Sequence, residues 1–243
     1  MGPYTIRTYR HSVSSSGYHT NFQIKVRETD LFIRADSDLS DLAFKSVFRH
    51  RGFLEAYIKM NPEFSSSFIP LAYDRFAPAI VQQMLNAGRS AGVGPMASVA
   101  GAISQKVGID LLQHTKNVII ENGGDIFAAV EKEKKLHISV FAGYSPLSNK
   151  VSLKIKGSDT PVGVCTSSGT VGGSFSFGTA DAITIISEDA ALADAVATAA
   201  CNVVKSKADI PKAIQIAQRT GGVKGVLAIK DDQMGVWGDI ELE

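Results

Sequence analysis

The stretch AITIISEDAALADAVAT, residues 182–198, places a predicted strand directly before a predicted helix. Ala182–Ile186 is a short run of apolar and β-branched residues, which indicates a buried strand. The alanine-rich run Asp189–Val204 that follows predicts a helix. In that helix Asp194 and Thr198 are four residues apart, so their side chains share one face.

Most of the other predicted strands are joined by short turns rather than by helices. They alternate with period two or are rich in β-branched and aromatic residues, and they cover Tyr4–Tyr9, Asn21–Val26, Leu31–Ala35, Asn117–Ile120, Ile126–Val130, His137–Phe141, Val151–Ile155 and a terminal hairpin of Val223–Ile229 and Val236–Leu242. Strands therefore outnumber regular strand-helix-strand alternations. This favours an α+β fold, with mixed, mostly antiparallel sheets packed with several helices, over a doubly wound sheet.

Further helices are predicted in the first half of the chain and near its end. After residues 36–41, five apolar residues fall within one arc of a helix that should pack on the N-terminal strands; they are Phe44, Val47, Phe48, Leu54 and Ile58. Other helices are predicted over Pro78–Ala87 and after Pro211. Between residues 87 and 110, glycine and alanine replace large core residues, which allows one backbone to approach another element or a ligand closely.

Size and charge restrict the class of protein. With 243 residues the chain is expected to form a single domain, residues 1–243, or two closely packed lobes. Lys and Arg number 25 against 24 Asp and Glu, so the basic excess of a nucleic-acid-binding protein is missing. No stretch approaches the roughly 18 apolar residues of a membrane span. We expect a soluble, cytoplasmic protein with neither a nucleic-acid nor a membrane partner.

The first candidate site is the sequence ENGGD, residues 121–125. A strand end delivers two carboxylates and the amide of Asn122 around Gly123 and Gly124, and such a turn can direct backbone N–H groups at a ligand. The alternative is a tight strand-strand turn that merely uses Asn and Gly.

The second candidate is the hydroxyl-rich run of Thr166, Ser167, Ser168 and Gly169, followed by Val171–Ser174. We interpret it as a loop whose donors could bind phosphate oxygens. It lacks the GK[ST] of a P-loop and the GxSxG of a serine hydrolase. The alternative is an ordinary surface loop.

The third candidate is the pair Asp194 and Thr198. A carboxylate and a hydroxyl on one helical face suit a hard cation such as Mg²⁺, although a capping or solvent-facing role is the commoner explanation of this spacing. Asp181, just before the strand, is a candidate acid or base or a turn residue. Cys165 and Cys201 have no CxxC spacing, so neither zinc nor a disulfide is indicated.

Taken in order, the Gly/Ala-rich segment, ENGGD, TSSG and ADAVATA resemble the ApbE superfamily of FAD-dependent FMN transferases. The resemblance covers roughly residues 85–205, and the whole chain is most similar to an uncharacterised prokaryotic branch of that superfamily. It implies an ApbE-like fold and a flavin nucleotide, FAD or FMN, or another phosphorylated ligand. Asn122, Gly123, Gly124 and residues 166–169 would then bind the ligand, and Asp194 and Thr198 would bind Mg²⁺. Asp125 or Asp181 would act as base or orient the substrate.

Two departures from the transferase pattern leave the activity open. The transferases carry an AKGYAVD-like stretch where this chain has VAGAISQ, residues 99–105, so the Lys and Asp are absent. They also carry a histidine after the TSG loop, where this chain has SFSFGTAD, residues 174–181, and no histidine follows His137. Three readings remain. The first is an Mg²⁺-dependent FMN transferase that uses FAD and a protein acceptor, and the second is a non-catalytic protein that binds a flavin or another phosphorylated small molecule. The third is a different enzyme on the same scaffold, since a fold does not fix a function. The oligomeric state cannot be predicted from the sequence.

Overall fold

The computed structural model describes residues 13–14, 20–171 and 176–243. The strand predicted over Tyr4–Tyr9 and the residues Gly172, Gly173 and Ser174 of the second candidate site lie outside the described residues.

An eight-stranded antiparallel sheet forms the centre of the fold. Its order is β11-β10-β9-β8-β5-β4-β3-β2, where β2 is Thr20–Val26, β3 Thr29–Ala35, β4 Val118–Asn122, β5 Asp125–Ala129, β8 Val162–Ser167, β9 Ala182–Ser187, β10 Val223–Lys230 and β11 Gln233–Gly238. A second, four-stranded sheet has the order β1-β6-β7-β12, where β1 is Val13–Ser14, β6 Lys135–Ser139, β7 Ser152–Lys156 and β12 Glu241–Leu242.

The helices cover one face of the eight-stranded sheet. They are α1, Ser40–Met60; α2, Glu63–Ser66; α3, Ala79–Ala91; α4, Val99–Leu111; α5, Ala190–Val203; and α6, Ile210–Arg219, with a 3₁₀ turn at Pro95–Ser98 directly before α4. Together with the two antiparallel sheets, they confirm the predicted α+β class.

Two hydrophobic cores lie on the two faces of the eight-stranded sheet. Successive side chains of a strand point to opposite faces, and on β5 Phe127 packs into the helix-side core while Ile126 and Ala128 pack into the core shared with the small sheet. Polar side chains at the strand ends can therefore contact one another only when they point to the same face of the sheet.

The centre of the helix layer is α5, which packs against α3, α4, α6, β8 and β9. Its neighbours approach closely because several contacts involve glycine. A Cβ on Gly101 would overlap the carbonyl oxygen of Ala190, and a Cβ on Gly163 would overlap the Ala190 backbone. The predicted use of the glycine-rich segment for close backbone approach is confirmed at Gly101.

Three details of the sequence prediction are wrong. Phe44 and Phe48 do not face the core: they are 50% and 66% exposed, because the buried side of α1 is formed by Ala43, Ser46, Val47 and Leu54. Thr166 and Ser167 end strand β8, where they pair with β9, instead of lying in a loop. The last predicted strand divides after Gly238, and β12 joins the small sheet by pairing with β7.

Among the described residues, no helix combines the length and the apolar character that a membrane crossing requires.

Replacement of Gly163 by alanine should lower the free energy of unfolding by about 1–3 kcal/mol, the usual cost of overpacking a core. The added Cβ would overlap the backbone of Ala190, which cannot rotate away as a side chain could. Urea unfolding measures the change in the free energy of unfolding. Gly221→Ala is the control, since a Cβ there meets nothing within 4 Å, and its effect should stay within about 0.5 kcal/mol. Equal effects of the two substitutions would contradict this packing.

Candidate functional site

Five elements meet at one edge of the helix-side face. The end of β4, the start of β5 and the end of β8 bring polar side chains to this edge, and the N-terminus of α4 and the middle of α5 lie against them. The site is therefore formed by segments far apart in the sequence.

The turn between β4 and β5 consists of Gly123 and Gly124, both with positive φ, +70° and +109°. A two-residue hairpin with two left-handed positions favours glycine, since other side chains are strained there. The Gly124 N–H donates to Glu121 Oε1 at 3.1 Å. This tight turn makes Asn122 and Asp125 direct cross-strand partners.

Asn122 and Asp194 both hold the N-terminus of α4. Asn122 Nδ2 donates to the Ala100 carbonyl oxygen at 3.1 Å. Asp194 Oδ2 accepts the Gly101 N–H at 3.0 Å and also binds the Ala100 N–H. A carboxylate is favourable here because the first N–H groups of a helix lack intrahelical acceptors and the helix dipole is positive at this end.

Asp125 and Asp194 form a pair of buried carboxyl groups. Burial, and then the charge of Asp194, raise the pKa of Asp125 well above its ordinary value. Burial also raises the pKa of Asp194, to about 7, against the lowering effect of its two backbone hydrogen bonds. Asp125 Oδ1 is buried and has no hydrogen-bond partner in the described structure. A buried acceptor without a partner is costly, so this atom indicates a ligand contact.

Cys165 lies beside the pair but is not a reactive thiol. Its Sγ donates to the Ala190 carbonyl oxygen at 3.3 Å. Burial, and then the charges of Asp125 and Asp194, raise the pKa of Cys165 well above its ordinary value, which suppresses the nucleophilic thiolate.

The hydroxyl groups of the second candidate site separate into two places. Ser167 Oγ lies 3.2 Å from Thr198 Oγ1, so β8 and α5 meet at the site. Thr166 Oγ1 instead forms a hydrogen bond with Thr184 Oγ1, at 2.9 Å, between β8 and β9. Thr166 is the neighbour of Ser167 in β8, so its side chain points to the other face of the sheet. Only the backbone of Thr166 reaches the site, through a hydrogen bond to Asp125.

The start of the loop after β8, residues 168–171, is held by the hydroxyl group of Ser168. Ser168 Oγ accepts the N–H groups of Thr170 and Val171, at 3.1 and 3.0 Å. Gly169 lies against the backbone of Gly178, where a Cβ would overlap the Gly178 carbonyl oxygen. These contacts fix the start of the loop beside the end of β8.

Both carboxylate oxygens of Asp181 accept hydrogen bonds from other residues of the protein. Its Oδ2 accepts the Asp231 N–H at 2.6 Å, its Oδ1 accepts the Thr170 hydroxyl at 3.0 Å, and Lys230 Nζ lies 3.8 Å from Oδ2. Both oxygens are therefore occupied, in contrast to Asp125. The contacts connect the loop after β8 to the turn between β10 and β11.

Sequence reasoning missed the role of Gln105. Its Oε1 accepts the Ala190 N–H at 2.8 Å at the start of α5, and it also accepts from Gln83 Nε2 at 2.8 Å. Gln83 donates to Asp189 as well, which caps α5. Gln105 stands where the transferases carry an Asp, and here it binds the N-terminus of α5. The junction between β9 and α5 could be predicted from the sequence, but its contact with Gln105 in α4 could not.

The site thus contains Asn122, Asp125, Ser167, Asp194 and Thr198, while Asp181 and the side chain of Thr166 make their hydrogen bonds with other residues. Within the described ranges, no three His, Cys, Asp or Glu side chains converge as a metal cluster. Two carboxylates with hydroxyl and carbonyl oxygens still fit Mg²⁺, which takes one or two carboxylates and completes its shell with water or phosphate. The orphaned Oδ1 of Asp125 supports this fit.

The fold is found in solved structures of other proteins. It is similar to the apo form of the flavinyl transferase ApbE from Pseudomonas stutzeri, with a TM-score of 0.57 and 13% identity over 93% of this chain and 94% of that chain. It is also similar to the flavin transferase ApbE from Vibrio cholerae, with a TM-score of 0.51 and 12% identity over 93% of this chain and 97% of that chain. The chain has an ApbE-type fold, as predicted.

The family can be stated more closely. The family model described as "AbpE bacteria" matches residues 10–222, and the chain belongs to this family. It is 40% identical over 224 residues to a UPF0280 protein of Methanococcus aeolicus, covering 90% of each chain. It is 42% identical over 219 residues to a UPF0280 protein of Methanospirillum hungatei, covering 89% of this chain and 86% of the relative. The predicted similarity to an uncharacterised branch is confirmed.

The cation-free protein should lose stability through this site as the pH rises. The folded-state pKa of Asp194, about 7, lies above its unfolded value, so the native state holds an extra proton between about pH 4 and 7, and the stability that this proton supplies is lost as the pH rises through about 7. The pKa of Asp125 is raised as well, so its titration changes the stability in the same direction. We expect the stability of the protein relative to Asp125→Asn, whose amide stays neutral, to fall as the pH rises in EDTA.

Urea unfolding at a series of pH values measures this difference. Asp159→Asn, at an exposed position, is the matched control and should follow the native protein at every pH. A difference between the native protein and Asp125→Asn that does not change with pH would refute the raised pKa values.

Proposed function

We propose that this protein is an Mg²⁺-dependent transferase that cleaves the pyrophosphate of FAD and transfers FMN to a hydroxyl group of a protein acceptor. The observation that carries the proposal is the pair Asp125 and Asp194, buried together with one carboxylate oxygen left without a partner. The fold shared with proteins described as flavin transferases supports the choice of ligand.

The carboxylate pair requires a cation when both groups are ionised. Two like charges removed from water repel each other and lose their hydration. The hydrogen bonds to Asp194 come from the backbone, and Asp125 interacts with Cys165 and the Thr166 backbone. None of these groups carries a positive charge. A divalent cation would compensate both carboxylates and at the same time attract a phosphate.

In this proposal Asp194 and Thr198 hold the Mg²⁺, and the carbonyl oxygen of a residue in segment 92–102 completes the protein ligands. The bound cation supplies charge neutralisation at the pyrophosphate. Asn122, Gly123, Gly124, Ser167, Ser168 and Gly169 line the place of the ligand, and Thr166 takes part through its backbone. The glycines admit the ligand close to the main chain, where N–H groups are available.

The transfer forms one P–O bond and breaks one, and it moves one proton from the acceptor hydroxyl to a base. The acceptor hydroxyl oxygen attacks the phosphorus on the riboflavin side, the anhydride P–O bond breaks, and AMP leaves with the bonding electron pair. The hydroxyl proton passes to a base, and we assign this role to Asp125, because its Oδ1 has no hydrogen-bond partner in the described structure and can accept from the acceptor hydroxyl. Asp181, whose two oxygens are occupied, holds the loop after β8 and serves as a positioning residue.

The second candidate function is binding of a flavin or another phosphorylated small molecule without turnover. The observation that favours it is the use of residues 99–105, where Gln105 holds the start of α5 and Ala100 offers only backbone groups. In this case the ligand and Mg²⁺ would occupy the same site, but no AMP would form.

Incubation with FAD, Mg²⁺ and a threonine-containing acceptor peptide should release AMP, detectable by chromatography. Asp194→Asn should lower the rate at least about 100-fold, since a group that stabilises developing charge contributes on the order of 3 kcal/mol. Asp159→Asn, exposed and outside the site, should leave the rate unchanged.

Calorimetry of FAD binding, with Mg²⁺ and with EDTA, separates the two candidates. Binding with AMP release supports the transferase, and Mg²⁺-dependent binding without release supports the binding protein. If FAD does not bind, both flavin functions are wrong. If FAD binds equally well in EDTA and in Asp194→Asn, the metal assignment is wrong.

A further inference from the structure

Helix α1 carries an aromatic patch on the side that faces away from the core. Phe44 and Phe48 are 50% and 66% exposed, and their rings stack with centroids 6.5 Å apart. Large apolar side chains clustered at the surface cost solvation free energy and often mark interaction sites. Neither residue belongs to the proposed transferase site.

Gly52 lies on the same face, one turn beyond Phe48. It is exposed in the middle of a 21-residue helix, and a Cβ there would meet nothing within 4 Å. A glycine in a helix interior costs about 1 kcal/mol relative to alanine. Within the described part of the chain, no neighbouring atom requires a glycine at this position. The close approach of a second helix would require one.

The residues of this face are complementary to themselves. With 100° of rotation per residue, the side chains of this face occupy an arc of the helix opposite its buried side. A second α1 can pack antiparallel against this face if a two-fold axis passes near residue 50. Residue i of one helix then lies beside residue 100 − i of the partner's helix. Phe48 then lies over Gly52 of the partner subunit, and Phe44 over the partner's Ala56. Asp41 lies beside the partner's Lys59. Each large side chain meets a small one, and opposite charges meet at both ends.

The fourth pair of this register also joins opposite charges, Lys45 and the partner's Glu55. Within its own chain Glu55 is already bound by Arg27 at 2.8 Å and by Arg51 at 2.9 Å. The pair of Asp41 and the partner's Lys59 is therefore the cleaner electrostatic test. The two residues are 18 positions apart, about 27 Å along the helix, so both ends of the interface carry such a pair.

We propose that α1 is the interface of a homodimer, in which a second copy of this chain packs its own α1 antiparallel across the face of Asp41, Phe44, Phe48, Gly52, Ala56 and Lys59. A single helix pair lies at or below the low end of stable interfaces, which bury about 1,200–2,000 Å². The dimer should therefore be concentration-dependent. It places the two catalytic sites outside the contact, because the site lies at the N-terminus of α4 and on α5.

Sedimentation velocity over about 1–200 µM, which brackets a micromolar Kd, tests the proposal on the full chain. The native protein should pass from monomer to dimer. Phe48→Glu and Gly52→Leu should each weaken association at least about tenfold. Gly52→Leu adds helix propensity in open space, so its folding is secure. Phe53→Glu is the matched control: Phe53 is 49% exposed on the same helix but lies on another side of it, and its replacement should leave association unchanged.

Charge reversal tests the register. Asp41→Lys and Lys59→Asp should each weaken the dimer, and the double variant should restore it. A native protein that stays monomeric over the whole range overturns the proposal. So does a dimer that survives Phe48→Glu and Gly52→Leu, or one that Phe53→Glu weakens equally. A double variant no stronger than the single ones overturns the antiparallel register.

Discussion

The hydrogen bonds from the N-terminus of α4 to the carboxylate of Asp194 are the contact on which the rest of the site depends. They join the two central helices end to side and bury a charge in the middle of the protein. The helices can come this close because residue 101 is glycine and faces the Ala190 carbonyl oxygen. Asn122 binds the Ala100 carbonyl oxygen in the same turn, so the sheet, α4 and α5 are fixed relative to one another at one place.

This arrangement makes the site rigid but electrostatically incomplete. The backbone donors at Asp194 are oriented by a helix, and the glycine turn sets the position of Asp125 opposite Asn122. Preorganised groups of this kind avoid reorganisation when a charged ligand arrives. The same burial raises the pKa of both carboxyl groups, because two ionised carboxylates buried side by side repel each other and lose their hydration.

The sequence predicted the local elements well and the contacts between them poorly. Strand and helix periods are local signals, so β3, β9 and α5 could be located from their own residues. The glycine-rich turn and Asp194 were found because they coincide with family motifs. The meeting of Asp125 with Asp194 depends on the pairing of β4, β5 and β8 with the helix layer, which no local pattern contains. The exposure of Phe44 and Phe48 was missed for a related reason: an apolar arc does not say which part of a helix another element covers.

The alanine-rich helix α5 limits how this site can change over evolutionary time. Ten of its 14 residues are buried, and its neighbours approach to the distance that alanine and glycine allow. Larger side chains would be excluded at most positions, since overpacking destabilises a close-packed interior. New ligand preferences within this scaffold must therefore arise from the surrounding segments, such as the loop that follows β8. Most positions of the helix itself have no room for a larger side chain.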